Sequence, residues 1–466
     1  MREAYDLVVL GGGPGGYPAA IRASQLGLNV ALVEPGNFGG ECTNYGCIPS
    51  KALISPVESY WRVKSLPFFR GEVSVDFEGL MRWAESIVSR SRSGVLQLLK
   101  GNGVDVYQER GFFESSTSVR LEGGTVLRAE RFIVATGTHP ASIPGVKVDG
   151  HVVHDNRTIL GLKRKPSRIV IIGGGYIGVE YASLFAKLGS EVHVVEMLPR
   201  LLPLMDEDIS RVVERRLKRL GAGVITGTRV KSVTPGESTA LVELTGGERL
   251  EADAVLVAVG RKPSTQGLGL ENAGVRLDEA GFVKVDDQMR TSNPRIMASG
   301  DVAGPPLLAH KAFHQAVVAG ENASGMDSIY DPKAVPEVVF TDPEIASIGL
   351  KEEDARKAGY NARAAKFPLG GSPRAAIEDS IDGFVKLVYD EDTRTLLGVH
   401  VAAPHASEIA AEIVYAIETG ATLEDLALTI HPHPTISEAL KDAAELALGK
   451  PIHYIARRPG RKKREA

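Results

Sequence analysis

An α/β fold, with two parallel-sheet nucleotide-binding halves and a smaller C-terminal α+β domain, is predicted by three observations in this 466-residue chain. The first is an internal repeat: "DLVVLGGGPGG", residues 6 to 16, returns as "RIVIIGGGYIG", residues 168 to 178. Each copy has a short apolar run typical of a buried parallel strand, then G-x-G-x-x-G, then a helix-compatible segment. The second is an acid in register: "NVALVE" ends at Glu34 and "EVHVVE" at Glu196, each 23 residues after the first glycine of its motif. The third is a change of texture from about residue 336, where "FVKLVYDEDTRTLLGVHVAA" reads as a hairpin with alternating faces, followed by helical stretches. One glycine motif is a weak signal. Two copies with strand, helix and acid in register predict two Rossmann-like dinucleotide folds.

In each copy the glycines have distinct tasks. Gly11 and Gly173 make the tight turn, Gly13 and Gly175 let the backbone approach a pyrophosphate, and Gly16 and Gly178 let helix and strand pack closely. The helix N-terminus supplies donors for the anion. Glu34 and Glu196 are placed to accept hydrogen bonds from ribose hydroxyls, and Glu196 would repel a 2′-phosphate, so the second site should prefer NAD(H). Nearby Arg200 tempers that preference slightly.

Between the copies, "GLMRWAESIVSRSRSGVLQLLKGNG" reads as a long amphipathic helix. "RFIVATG" (131–137) is a return strand to the first sheet and "AVLVAVGR" (254–261) its counterpart in the second. The expected boundaries are 1–150 with 281–335 for the first, discontinuous fold, 151–280 for the second, 336–455 for the α+β domain and 456–466 for a basic tail. The opening "YDLVVL" runs straight into glycines, so it reads as a first strand and not a signal peptide.

Bulk properties narrow the function. A net charge of −4 argues against a nucleic-acid binder working through bulk attraction, and the tail "RRPGRKKREA" reads as solvated. No run approaches 18 apolar residues, so nothing is expected to span a membrane. Cys42 and Cys47 are the only cysteines, too few for a secreted disulfide framework, which favours a cytoplasmic protein with one redox pair. A zinc site would need further ligands, and no histidine lies within twenty residues of the pair, so no metal is expected.

The spacing of the pair is awkward. Five residues on a regular helix turn through about 500°, whereas a disulfide needs its α-carbons within about 4.4–6.8 Å. Gly46 offers a permissive backbone between them, and Pro49 suits the first turn of a following helix. Two dinucleotide sites and an isolated thiol pair suggest an electron relay: hydride from a nicotinamide, a flavin between, and a disulfide exchanging electrons with a substrate. Thiol exchange needs a base. "HPHPTISEA", residues 431 to 439, offers His433, with Glu438 brought back by a helix-like segment to orient the ring.

These motifs resemble the pyridine nucleotide–disulfide oxidoreductases, from about residue 4 to 455. The resemblance is carried by G-x-G-x-x-G with Glu34, Cys-x4-Cys followed by "IPSK", "VATG", "GGGYIGVE", "ASGD", "AHKA" and "HPHPT-x-SE". It implies FAD in the first site and NAD in the second, with Thr136, Gly137, Asp301 and Lys51 among the FAD contacts and Tyr176 and Gly260 among the cofactor contacts. It implies that Cys42 exchanges with substrate while Cys47 touches the flavin, and that Lys51 and Glu180 pair beside the flavin N5. Asp301 would hold the ribityl chain. His433 and Glu438 would form a base dyad serving the other subunit of a head-to-tail homodimer. The activity implied is oxidation of dihydrolipoamide with NAD+, with lipoyl groups of a 2-oxo acid dehydrogenase or glycine cleavage complex as partners. The alternatives are an NADH-dependent reductase of another small disulfide and a non-catalytic redox-sensing flavoprotein.

The chain departs from the family pattern at several positions. Thr43, Asn44, Tyr45 and Gly46 stand where relatives carry Leu-Asn-Val-Gly, and Glu41 replaces a threonine. A carboxylate there, unless turned away, should disfavour a thiolate at Cys42. Residues 313 to 316, "FHQA", lack the acidic residues usual after "AHKA". Tyr176 resembles the gating tyrosine of glutathione reductases, whose NADPH preference Glu196 opposes. Mercuric reduction would need a further cysteine pair near the C-terminus, and there is none. His310 suggests a packed or capping residue.

Overall fold

A computed structural model describes residues 4–455. The basic tail, 456–466, lies outside the described residues. The chain forms two compact units: one takes in residues up to Gly173, Lys187–Ser190 and Val230–Asp331, the other Gly174–Ala186, Glu191–Arg229 and the chain from Pro332.

In the first unit, strands Asp105–Tyr107, Val30–Val33, Ala4–Leu10 and Val126–Val134 lie side by side in that order, all parallel. The last is long enough to serve two neighbours on its far edge. Its first half pairs antiparallel with Ser118–Leu121 and its second half parallel with Ile296–Ala298, so a late segment completes the first fold. Leu7 and Val9 pack on one face with Ala19, Ala23, Leu99 and Ala319, while Val8 and Leu10 pack on the other with Val33, Phe113 and Phe132. A parallel strand covered on both sides has no wet face, hence the unbroken apolar run in the sequence.

Both return strands approach the glycine turns closely. Gly11 has φ +110° and Gly173 φ +111°, a region that only glycine enters readily. A Cβ on Gly11 would lie 2.2 Å from the Ala135 carbonyl oxygen, and one on Gly173 2.3 Å from that of Ala258. Strand Arg168–Ile172 pairs parallel with Ala254–Val257, which pairs parallel with Val153–His154. The long helix of the sequence reading is Phe77–Gly101, with the Asp76 carboxylate accepting from the Gly79 amide.

In the second unit, Glu191–Val195 pairs parallel with Gly223–Ile225, and helix Glu207–Arg219 starts at Asp206. The C-terminal sheet is antiparallel, in the order Glu337–Val339, Glu344–Gly349, Leu396–Ala403, Phe384–Asp390, Ala362–Pro368. The hairpin expected over 384–403 is present, but its alternation is not: every residue of Leu396–Ala403 is buried. Val385, Leu387, Val399 and Val401 pack with Ala410, Ile413, Leu440 and Ala443 of the helices Ala406–Glu418 and Glu438–Ala447. The opposite face carries Lys386, which donates to Asp206 at 2.8 Å and Asp208 at 3.2 Å at the start of helix Glu207–Arg219. With both faces covered, the central strand has no solvated side.

Gly11→Ala should be destabilising by about 2 kcal/mol or more, because strain and overlap with Ala135 add. Thermal unfolding and the flavin retained per chain after gel filtration would both fall; an unchanged midpoint would contradict the close approach.

Candidate functional site

The thiol pair sits at a break between two helices. Helix Gly40–Tyr45 carries Cys42 and helix Cys47–Ser65 opens on Cys47, while Gly46 between them has φ −126°, ψ −108°, outside the helical region. That single non-helical residue answers the spacing problem. The break is fixed from within. Asn44 donates to the carbonyls of Asn37, Phe38 and Gly40 at 3.2, 3.1 and 2.8 Å and accepts from Arg92 Nε at 2.8 Å. Ser50 Oγ donates to the Gly46 carbonyl at 2.8 Å. Pro49 lies in the first turn of the second helix, as expected.

Cys42 and Cys47 are present as two thiols hydrogen-bonded to each other. The bond to Cys47, then burial, pushes the Cys42 thiol up; the Lys51 ammonium pulls the other way. Lys51 lies four residues after Cys47, on the same side of the helix. The Glu41 carboxylate beside Cys42 is held by Arg157 and Arg261, whose charges offset its own.

The two glycine turns are closed identically. Glu34 accepts from the amides of Gly12 and Gly36, both at 2.7 Å; Glu196 accepts from those of Gly174 at 2.6 Å and Leu198 at 2.8 Å. Burial pushes the Glu34 carboxyl up, and the two amides oppose it. A Cβ on Gly175 would meet nothing within 4 Å, and one on Gly13 only the Gly40 α-carbon at 3.5 Å. The space above each turn is open, so the residues fit a dinucleotide diphosphate at both. Gly16 packs against its own turn, where a Cβ would lie 1.8 Å from the Gly11 carbonyl oxygen. Arg200 donates to the carbonyls of Pro203 and Met205 at 2.9 and 3.3 Å.

Asp301 is no helix cap. It accepts from Thr138 Oγ1 at 3.0 Å, and burial raises its carboxyl against the pull of Thr138, Lys311 and Arg261. Lys311, unremarked in the sequence except as part of "AHKA", is buried and donates to the Gly304 carbonyl; burial lowers its ammonium to about 8 while Asp301 opposes. Thr136 Oγ1 donates to the Ser264 carbonyl at 2.9 Å, and Ser264 donates to the carbonyl of Gly137 at 2.9 Å. Gly260, at φ +111°, follows the second return strand. His310 is exposed in the first turn of helix Ala309–Ala323, so of the two roles expected, packing or capping, packing does not hold.

In the second unit, Tyr176 and Glu180 lie one turn apart on helix Tyr176–Lys187, which also carries Gly178. The Tyr176 hydroxyl bonds the Glu337 carboxylate, and Glu180 Oε1 accepts from the Phe340 amide at 3.0 Å. Burial first, then the charge of Glu337, pushes the Tyr176 phenol up. Glu337 gave no signal in the sequence.

The dyad has the expected geometry. His433 Nδ1 lies 2.9 Å from Glu438 Oε1, and the other carboxylate oxygen accepts from the Thr435 amide at 2.8 Å. Burial raises the Glu438 carboxyl, but Thr435 and His433 together bring it below the usual range. With Nδ1 engaged by Glu438, the ring itself remains exposed. A second pair, His431 Nε2 to Glu412 Oε1 at 2.8 Å, was not anticipated, because the acid comes from another helix.

Residues 5–316 match the family described as pyridine nucleotide-disulphide oxidoreductase, and residues 335–444 its dimerisation domain. The chain is 43% identical to a dihydrolipoyl dehydrogenase of Thermus scotoductus, covering 98% of this chain and 100% of that one. It is 41% identical to one of Geobacillus stearothermophilus, covering 97% and 98%. Among solved structures it is similar to LpdA from Mycobacterium tuberculosis, at TM-score 0.89 and 29% identity over 96% of this chain and 100% of that one. It is also similar to the HOCl-induced flavoprotein disulfide reductase RclA from Escherichia coli, at TM-score 0.86 and 30% identity over 95% and 100%. No helix among the described residues is long and apolar enough to cross a membrane. The paired glycine turns, the thiol pair at its helix break and the end-to-end likeness agree: the chain belongs to the pyridine nucleotide-disulphide oxidoreductases, flavoenzymes that work with FAD and NAD(H).

Proposed function

We propose that the chain oxidises dihydrolipoamide with NAD+ in the cytoplasm, relaying two electrons through a Cys42–Cys47 disulfide. The observation that carries this is the thiol pair hydrogen-bonded across Gly46, in a chain whose relatives named dihydrolipoyl dehydrogenase match it over nearly its full length. FAD would be held by Gly11, Gly13, Gly16, Glu34, Thr136, Gly137 and Asp301, with Lys51 near its ring; NAD would be held by Gly173, Gly175, Tyr176, Gly178, Glu196 and Gly260. FAD, when bound, supplies the two-electron link between dithiol and nicotinamide.

The substrate thiol attacks Cys42 of the disulfide, and Cys47 leaves as a thiolate at the N-terminus of its helix, where negative charge is favoured. The second substrate thiol attacks the mixed disulfide, closes the lipoyl ring and releases Cys42. His433 takes the proton from the attacking thiol through Nε2, while Glu438 steadies the imidazolium through Nδ1. With FAD bound, the Lys51 ammonium would offset negative charge on the reduced flavin, the role in which the family resemblance pairs it with Glu180. In the family's head-to-tail homodimer the dyad of one subunit serves the thiols of the other. Lipoyl groups of a 2-oxo acid dehydrogenase or glycine cleavage complex are the proposed substrates. Tyr176 favours a second reading, an NADH-dependent reductase of another small disulfide.

Turnover of the purified protein with lipoamide, glutathione disulfide and coenzyme A disulfide, each with NADH and NADPH, separates these readings; no activity with lipoamide in either direction would overturn the first. His433→Gln should slow lipoamide turnover about 10²–10⁴-fold and leave flavin reduction by NADH intact. Cys42→Ser should abolish disulfide turnover. Glu196→Gln should lower the NADH-to-NADPH ratio of kcat/KM about tenfold, because a repelling charge is removed; an unchanged ratio would count against the role of Glu196.

A further inference from the structure

Glu41 and Tyr45, two of the residues at which the redox loop departs from the family pattern, are gripped by the same short segment. Arg157 Nε donates to Glu41 Oε1 at 2.6 Å, and its guanidinium lies 5.3 Å from the centroid of the Tyr45 ring. Asn156 Nδ2 donates to the Tyr45 carbonyl at 3.0 Å and reaches Glu41 Oε2 at 3.4 Å. From another strand, Arg261 donates to Glu41 Oε2 at 2.7 Å while anchored on the hydroxyl and carbonyl of Thr138 at 2.7 and 2.9 Å. The Asp155 carboxylate, accepting from the Arg157 amide at 2.9 Å, fixes the turn that presents Arg157.

We propose that Glu41 and Arg157 form a charge-compensated clasp that sets the reactivity of the neighbouring Cys42 thiol, with Arg157 as the positioning residue. A lone carboxylate next to the exchanging thiol would oppose its thiolate. Held between two arginines, it leaves a local sum of +1 instead of −1, and it ties the loop to the turn at 155–158. The arrangement thus keeps Glu41 as a mechanical tether while removing its electrostatic penalty. Cys47, Lys51 and Tyr17 face Cys42, and none of them is part of the clasp. The proposal rests on Cys42 being the thiol that meets substrate.

The test measures iodoacetamide alkylation of Cys42 in the FAD-loaded Cys47→Ser protein, where it is the single thiol, followed by mass spectrometry across neutral to alkaline pH. Arg157→Gln lowers the local sum to zero and should slow alkylation about three- to tenfold at neutral pH, moving the profile to higher pH. Glu41→Gln raises the sum to +2 and should speed it. The double variant Glu41→Gln/Arg157→Gln restores +1 and should return the rate to near the parent's, as should Arg157→Lys. A parental rate in Arg157→Gln, or a double variant as slow as Arg157→Gln, would overturn the clasp. If Arg157→Gln fails to fold, Glu41→Gln decides alone: faster supports, unchanged or slower overturns. Alkylation is read without lipoamide, so a failed lipoamide assay with this charge order intact would sink the substrate and spare the clasp.

Discussion

Cys42 and Cys47 would point well apart on an unbroken helix, and the chain lets them meet by leaving the helical conformation at Gly46 alone. The rest of the site follows from that interruption. It makes Cys47 the first residue of a 19-residue helix, with amide dipoles behind its sulfur, and sets Lys51 one turn further along the same side. It also leaves Cys42 partly covered and Cys47 exposed. The two sulfurs are chemically unequal before any cofactor or substrate arrives, which is what a relay with a direction requires. Asn44 keeps the interruption from collapsing: it satisfies three carbonyls and one arginine from a nearly inaccessible position.

The two nucleotide folds show how a repeated motif becomes a repeated geometry. In each, the strand-end acid folds back to bind the amide of the residue after the first glycine. The acid therefore closes its own loop while keeping lone pairs for a ribose. This dual use explains the fixed offset of 23 residues better than ligand binding alone would.

Local and repeated features were legible in the sequence: the strands, the turns, the matched acids, the return strands and the reach of Glu438 back to His433. What was missed is non-local. The grip of Arg157 on Glu41 spans more than a hundred residues, and that of Glu337 on Tyr176 spans more again; neither has a periodicity to betray it. The loss of alternation in Leu396–Ala403 has the same origin. Its polar-side residues are covered by a helix from far upstream, and nothing within the strand announces that partner.

The helix bearing Tyr176 and Glu180 is fastened to the segment at 337–340 by a phenol–carboxylate bond and an amide–carboxylate bond, while Lys386 bolts the next helix to the C-terminal sheet. Shuffling among relatives therefore meets a hidden seam. Exchanging everything after Pro332 would strand a half-buried phenol, two aspartates and a glutamate without their counterparts, although no joint is visible in the primary structure. Compatible crossovers must carry Tyr176, Glu180, Asp206 and Asp208 along with the C-terminal sheet, so heredity in this chain is modular in pieces that the order of residues does not delimit.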